Sequence, residues 1–203
     1  MPKLNDADAI YVGSEPVLRV LLGRTEVWTP PGAEVSATLG DTGTGGGGNW
    51  PTSANRALMT KITLPHDATV TLFRMAIRSS SIGVGDRFKG LIYAANGTGG
   101  YPGTRLLVTD PTAATAGGAE VLTVPVANIA VPAQEVWIGY VCNGASGAGC
   151  ETDSGGTLAN GTIMLNGGEV NYASPPATAG LWPGSPGPYS NVPSLSFDYL
   201  YTP

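Results

Sequence analysis

The chain reads as an all-β protein, with a short N-terminal β-ribbon followed by a larger two-sheet β-sandwich. Three observations predict this. Apolar residues come in short bursts of four to a dozen, several of them alternating apolar and polar. Thirty glycines and 17 prolines, nearly a quarter of the 203 residues, punctuate those bursts as turns. No stretch of a dozen residues keeps a helical period.

The ribbon comes first. "AIYV" (9–12), "VLRVLL" (17–22) and "EVW" (26–28) read as three strands, joined by the turns "GSEP" and "GRT". Such a ribbon is too small to hold a core of its own. "TPPG" ends it, because proline cannot donate to a ladder. "AEVSATL" (33–39) is one further short strand, and "DTGTGGGGNWP" (41–51) reads as a flexible linker. Its four glycines lack the Lys-Ser/Thr pair and the following helix of a phosphate-binding loop. The expected domains are therefore a ribbon module over 1–40, a Gly-rich linker over 41–54 and a sandwich over 55–203.

In the sandwich, "ALMTKITLP" (57–65) puts Leu58, Thr60, Ile62 and Leu64 on one face. "ATVTLFRMAIRSS" (68–80) alternates, and its set Thr71, Phe73, Met75 and Ile77 is the greasier. That set should face the core from mid-strand onward. "DRFKGLIYAA" (86–95) offers Phe88, Leu91 and Tyr93 as anchors. Strands follow at 104–110, 119–131, 134–142, 161–166 and 168–173, with a closing strand in "PSLSFDYLYTP" (193–203). Trp137 and Tyr140 sit in an apolar strand, where at least one is a core residue. The long Pro/Gly stretch at 174–191 reads as a crossing between the sheets. Folding over an apolar surface is the alternative.

Composition narrows the partners. Charged residues make up only 12% of the chain and the net charge is −5, so no basic footprint for nucleic acid exists. No apolar run reaches the roughly 18 residues of a membrane span. The start of the chain, with Asp6 and Asp8, lacks the pattern of an export leader, so synthesis in a cytoplasm is expected. Cys142 and Cys150 flank a small Gly-rich loop. A late-forming or absent disulfide ranks first there, two inert thiols second and a metal site last. No metal or other cofactor is expected.

Candidate chemistry is sparse. The single histidine, His66, lies in a turn beside Asp67, and neighbouring residues in a turn point apart, so the two do not make a catalytic pair. "DSGG" (153–156) lacks the context of a serine nucleophile. The carboxylates Glu151, Asp153, Glu169 and Asp198 are scattered, and Glu151 and Asp153 lack the acid spacing of a calcium loop. The "NGT" triplets at Asn96 and Asn160 read as turns. The expectation is a non-enzymatic protein. Trp50, Tyr101, Trp182 and Tyr189 lie in Gly/Pro-rich stretches, where aromatic rings could serve as ligand contacts, a host-surface glycan being the expected class.

"IYVGSEPVLRVLLGRTEVW" resembles a short module at the N-termini of tailed-bacteriophage virion proteins, often minor tail proteins. The matching positions are Ile10, Gly13, Val17, Val20, Leu22, Gly23, Val27 and Trp28. "ALMTKITLPHDATVTLFRMAIRS", "KGLIYAANGTGGYPGTRLL" and "VPAQEVWIGYVCNG" resemble, more loosely, a jelly-roll sandwich of phage surface and adhesion-type proteins. Pro132-Ala133-Gln134 stands where that pattern commonly has a Gly-containing turn. The resemblance implies a jelly-roll-like sandwich, localisation in the virion, other virion proteins as partners and multiple copies per particle. It implies a minor tail protein first, a head-decoration or head-fibre protein of the capsid second and a carbohydrate-binding adsorption module third. Physically, the ribbon carries apolar side chains on both faces, more than it can hide alone. Ile10, Val12, Val17, Leu18, Val20, Leu22, Val27 and Trp28 are therefore the expected docking residues.

Overall fold

The computed structural model describes residues 11–12, 15–17, 20–22, 25–28, 32–42, 48–52, 57–78, 86–115, 119–143, 148–153, 162–165, 172–179 and 192–203. Side chains are described at 17, 32–42, 57–77, 86–115, 120–143, 172–179 and 194–203. The described residues are nearly all strand, with no α-helix among them.

In chain order the strands are β1 (Tyr11–Val12), β2 (Glu15–Pro16), β3 (Val20–Leu22), β4 (Thr25–Trp28), β5 (Val35–Gly40) and β6 (Gly48–Thr52). They continue as β7 (Ala57–Leu64), β8 (Ala68–Arg78), β9 (Arg87–Ala94), β10 (Arg105–Val108), β11 (Thr112–Ala113) and β12 (Ala119–Val131). The last are β13 (Gln134–Cys142), β14 (Ala148–Asp153), β15 (Thr162–Leu165), β16 (Val192–Pro193) and β17 (Leu195–Tyr201). Two antiparallel sheets form the sandwich. The first has the order β10-β9-β13-β7-β15, with β11 also on β9. The second has β12-β8-β17-β5, with β14 joining β8 and carrying β6 and β16.

One long ribbon links the sheets in the manner of a jelly roll. β7 pairs with β13 and β8 pairs with β12, so two corners, 65–67 and 132–133, lie side by side where the ribbon passes from one sheet to the other. Pro65 and Pro132 stand at those corners, since neither can continue a ladder. The Asp67 carboxylate accepts the Ala133 amide at 2.7 Å. Among the described residues only Asn128 has a positive φ without being glycine, so the Pro132-Ala133-Gln134 corner closes without a left-handed residue. That is why no glycine is needed there.

The inter-sheet core contains Leu58, Ile62 and Leu64 from β7 and Phe73, Met75 and Ile77 from β8, as the alternation predicts. Val70 is also fully buried, while Thr71 and Leu72 between the two inward runs are only half-buried. Register shifts in both neighbours of β8 near this point mark the change of face. Thr60 is completely buried, and its hydroxyl has no hydrogen-bond partner among the described residues. Replacing it with the equally shaped valine removes the unmet polar group. Thr60→Val is expected to stabilise the fold by about 1 kcal/mol, read as a rise in the urea midpoint at constant slope.

The first sheet is buried on its other face as well. Ala57, Met59, Leu91, Tyr93, Trp137, Val141 and Ala179 form a second apolar layer, against which Ala95, Tyr101 and Tyr172 pack. Burial on both faces explains why β13 reads as a nearly continuous apolar run, with Val136 to Cys142 all buried. Trp137 and Tyr140 are both core residues, but of different layers. The cover includes residues 172–179, a non-strand strap where the sequence pattern suggested a strand through 173 and a sheet crossing after it.

The second sheet carries an ion pair between β8 and β17. Both terminal nitrogens of Arg74 donate to the two carboxylate oxygens of Asp198, at 2.5 Å each, and the Thr38 hydroxyl donates to the same carboxylate at 2.6 Å. The Arg74 hydrogen bonds, helped by Thr38, hold the Asp198 carboxyl below its ordinary range, although partial burial opposes this. A depressed carboxyl contributes stability above its unfolded pKa and loses it as pH falls through the folded value. Asp198→Asn is therefore expected to be less stable than the parent near neutral pH, by about 1 kcal/mol for a well-aligned pair. The gap should narrow below about pH 4. Urea melts across pH 2.5–7 check this.

Two domain boundaries move. β5 pairs with β17 over six residues, from Val35↔Tyr201 to Gly40↔Ser196, so the sandwich begins at 35 rather than at 55. β6, in the stretch read as a linker, pairs with β14 from Gly48↔Thr152 to Thr52↔Ala148. The strand at 33–39 was legible as β5 and only its assignment to the ribbon module changes, whereas β6 has too little alternation to announce itself. β6 becomes a strand because β14 offers it a ladder, and β5 joins the sandwich because β17 does.

Candidate functional site

Two regions carry the residues singled out by the sequence. The first is the N-terminal segment. Instead of three consecutive strands it makes two small hairpins. Tyr11 and Val12 of β1 oppose Pro16 and Glu15 of β2, and Val20, Leu21 and Leu22 of β3 oppose Trp28, Glu26 and Thr25 of β4. The "GSEP" stretch read as one turn thus contains β2. Val17, expected inside a strand, lies between the hairpins and is half-buried. The connections have only two residues each, 13–14 and 23–24, which is the length that favours tight hairpins over a continuous ribbon. Val12, Val20, Leu22, Val27 and Trp28 lie in these strands, and their side chains are outside the described ones. Ile10 and Leu18 lie outside the described residues.

The second region is the loop between β9 and β10, with the strap across it. Residues 98–100 form a single 3-10 turn in which Gly99 and Gly100 have φ of 70° and 76°. Asn96 braces the loop: its Oδ1 accepts the Thr104 amide at 2.8 Å and its Nδ2 donates to Thr104 Oγ1 at 3.1 Å. A Cβ on Gly103 would lie 2.0 Å from Asn96 Oδ1, so this close approach requires glycine. The indole Nε1 of Trp137 donates to the Gly100 carbonyl at 2.9 Å, which ties the loop to the apolar layer beneath. Tyr101 is half-buried against that layer, so part of its ring serves packing rather than contact with a ligand.

The strap is fastened along its length. Arg105 N donates to Ala177 O and Ala179 N to Gly103 O, at 2.8 and 2.9 Å. The Arg105 guanidinium donates to Pro175 O, and Tyr93 Oη to Pro176 O at 2.9 Å. Burial pushes the Tyr93 hydroxyl up to about 12, with Arg105 opposing, so it remains a donor throughout the physiological range. Lys89 Nζ donates to Tyr172 O at 2.9 Å and lies 4.7 Å from the centre of the Tyr172 ring. Between loop and strap is a shallow cavity of about 250 Å³, lined by Asn96, Gly97, Thr98, Pro102, Gly103, Thr104, Thr178 and Ala179. The strap, as far as residue 179, answers to the alternative reading of folding over an apolar surface, whereas the cavity it walls was not legible in the sequence. The one signal was the cluster of Asn, Thr and Gly in "NGTGGYPGT".

The remaining candidates do not converge. Trp182 and Tyr189 lie outside the described residues, and Trp50 is described only as backbone in β6. Cys142 is buried at the end of β13 in the first sheet, whereas Cys150 lies in β14 of the second, its side chain outside the described ones. The His66 ring stacks on Tyr201 at 4.3 Å while Asp67 bonds Ala133, so the two point apart. Asp198 is engaged by Arg74. Among the described residues no three His, Cys, Asp or Glu side chains gather as metal ligands, and no helix is long and apolar enough to cross a membrane. No family model, no curated protein and no solved structure matches the chain.

Proposed function

We propose that this chain is a structural protein of a tailed-phage virion, a minor tail protein that docks through its N-terminal hairpins and projects its sandwich outward. One observation carries this reading. Among the described residues β1 pairs only with β2 and β3 only with β4, while both sandwich sheets are assembled from β5 onward. Two-stranded hairpins of two to four residues per strand are not stable in water by themselves. A neighbouring protein surface supplies the missing burial, and the phage-like pattern of residues 10–28 names the kind of neighbour. The sandwich works as a projecting body, and assembly, not catalysis, is the activity.

The test is an electron-microscopy map of the virion that carries the chain, with peptide mass spectrometry of the purified particle. The expected result is sandwich density on the tail, with residues 10–28 at the contact. Density on the capsid would replace the tail placement by the head-fibre or decoration reading. Absence of the chain from purified particles would overturn the proposal.

A further inference from the structure

We propose that the cavity between the β9–β10 loop and the strap is a subsite for one uncharged sugar ring of a polysaccharide. This does not rest on the virion reading, since it follows from the cavity alone. Its size comes first: about 250 Å³ suits a single ring and little more. The chemistry of its wall follows. Every lining side chain is uncharged; Asn96 and Thr104 bond each other, so the hydroxyls of the lining residues Thr98 and Thr178 are the groups left for a ligand. Hydroxyls both donate and accept, which matches the mixed demand of sugar hydroxyl groups. No charged residue lines the cavity: Lys61 is paired with Glu135 at 2.8 Å, and the Arg105 guanidinium is turned to Pro175 O, so no cation is placed to select an acidic sugar.

Rigidity is the third observation. The Asn96 brace, the Gly97 N to Tyr101 O bond at 3.0 Å and the Ala179 N to Gly103 O bond at 2.9 Å hold both walls in place without a ligand. A Cβ on Gly97 would approach Pro102 O to 2.7 Å, so the loop tolerates no bulk that would reshape it. A preformed site loses little ordering entropy on binding, which is what a small, polar, weakly apolar ligand requires. Thr98 and Thr178 are exposed at the rim, where their hydroxyls can meet an incoming ring.

The experiment uses the full-length chain. Calorimetric titrations with glucose, galactose and mannose oligomers are run beside a glucuronate oligomer, and two-dimensional NMR follows the backbone amides. At least one neutral oligomer is expected to bind, with shifts confined to 96–104 and 178–179, and the glucuronate oligomer is not. The double variant Thr98→Val/Thr178→Val keeps the side-chain shape and is expected to weaken binding about tenfold or more, each lost hydrogen bond contributing several-fold. The NMR spectrum of that variant must otherwise superpose on the parent's. If it does not, the single variant Thr98→Val, on the loop rim, is read instead and should weaken binding several-fold. The proposal is overturned if no neutral oligomer binds at millimolar concentration, if shifts fall elsewhere, if the uronate binds in preference, or if the hydroxyl-free variants bind as the parent does.

Discussion

Gly90→Ala is expected to cost the sandwich about 2 kcal/mol, because it drives a methyl group into a ring that has no room to retreat. A Cβ on Gly90, in β9, would lie 2.6 to 2.9 Å from three atoms of the Phe73 ring, in β8 of the opposite sheet. Phe73 is completely buried. Removing the ring is worse in the other direction, and Phe73→Ala is expected to cost about 4 kcal/mol through lost burial and the cavity left behind. The two positions should therefore be coupled. In a Phe73→Leu background the shorter side chain leaves space for the new methyl, so Gly90→Ala should cost at least ~1 kcal/mol less than it does in the parent. Urea melts of the four proteins, compared at equal slopes, measure this. Strict additivity would mean that the ring does not rest on the Gly90 backbone.

On the virion role proposed above, deleting residues 1–32 is expected to leave a folded, soluble sandwich that no longer joins the particle. Among the described residues the sheet pairings of β5 through β17 involve none of the deleted ones, and Glu34 to Gly40 remain to complete the edge beside β17. Chemical melts of the truncated chain should therefore keep the parent's midpoint within about 1 kcal/mol of stability, the usual scale for distant changes. Incorporation, read by quantitative mass spectrometry of particles complemented with the truncated gene, should fall to background. Normal incorporation would remove the anchor role from the hairpins. Loss of folding would show instead that the segment belongs to the sandwich.

Some of this molecule could be read directly from residue order, for a local reason. β12 and β13 run over 119–131 and 134–142 as their patterns predict, since proline marks their junction and alternation or apolarity marks their bodies. The inward set of β8 was legible because its alternation holds across the half of the strand that faces one core. Other features depended on partners remote in the chain. β6 and β14 are weakly patterned and flanked by Gly-rich stretches, yet each is a strand beside the other. The boundary near residue 40 is likewise invisible until β17 arrives to pair with β5.

The candidate sites divide in the same way. Residues 10–28 declare themselves through short apolar bursts and tight turns, but their split into two hairpins is a matter of pairing register. Tyr101 looked like a free loop aromatic, and only the second apolar layer shows that its ring is partly taken up by packing.

By itself the sequence determined the strand-rich class, the sandwich and the greasy faces of its main strands, because side-chain alternation is a property of neighbouring residues. The tertiary structure alone decided which segment closes each sheet edge, which of the two readings of the Pro/Gly stretch holds at 174–179, and that a polar cavity opens beside it. The strap's place depends on contacts between residues 70 or more positions apart, such as Arg105 with Pro175 and Tyr93 with Pro176, which no local pattern encodes.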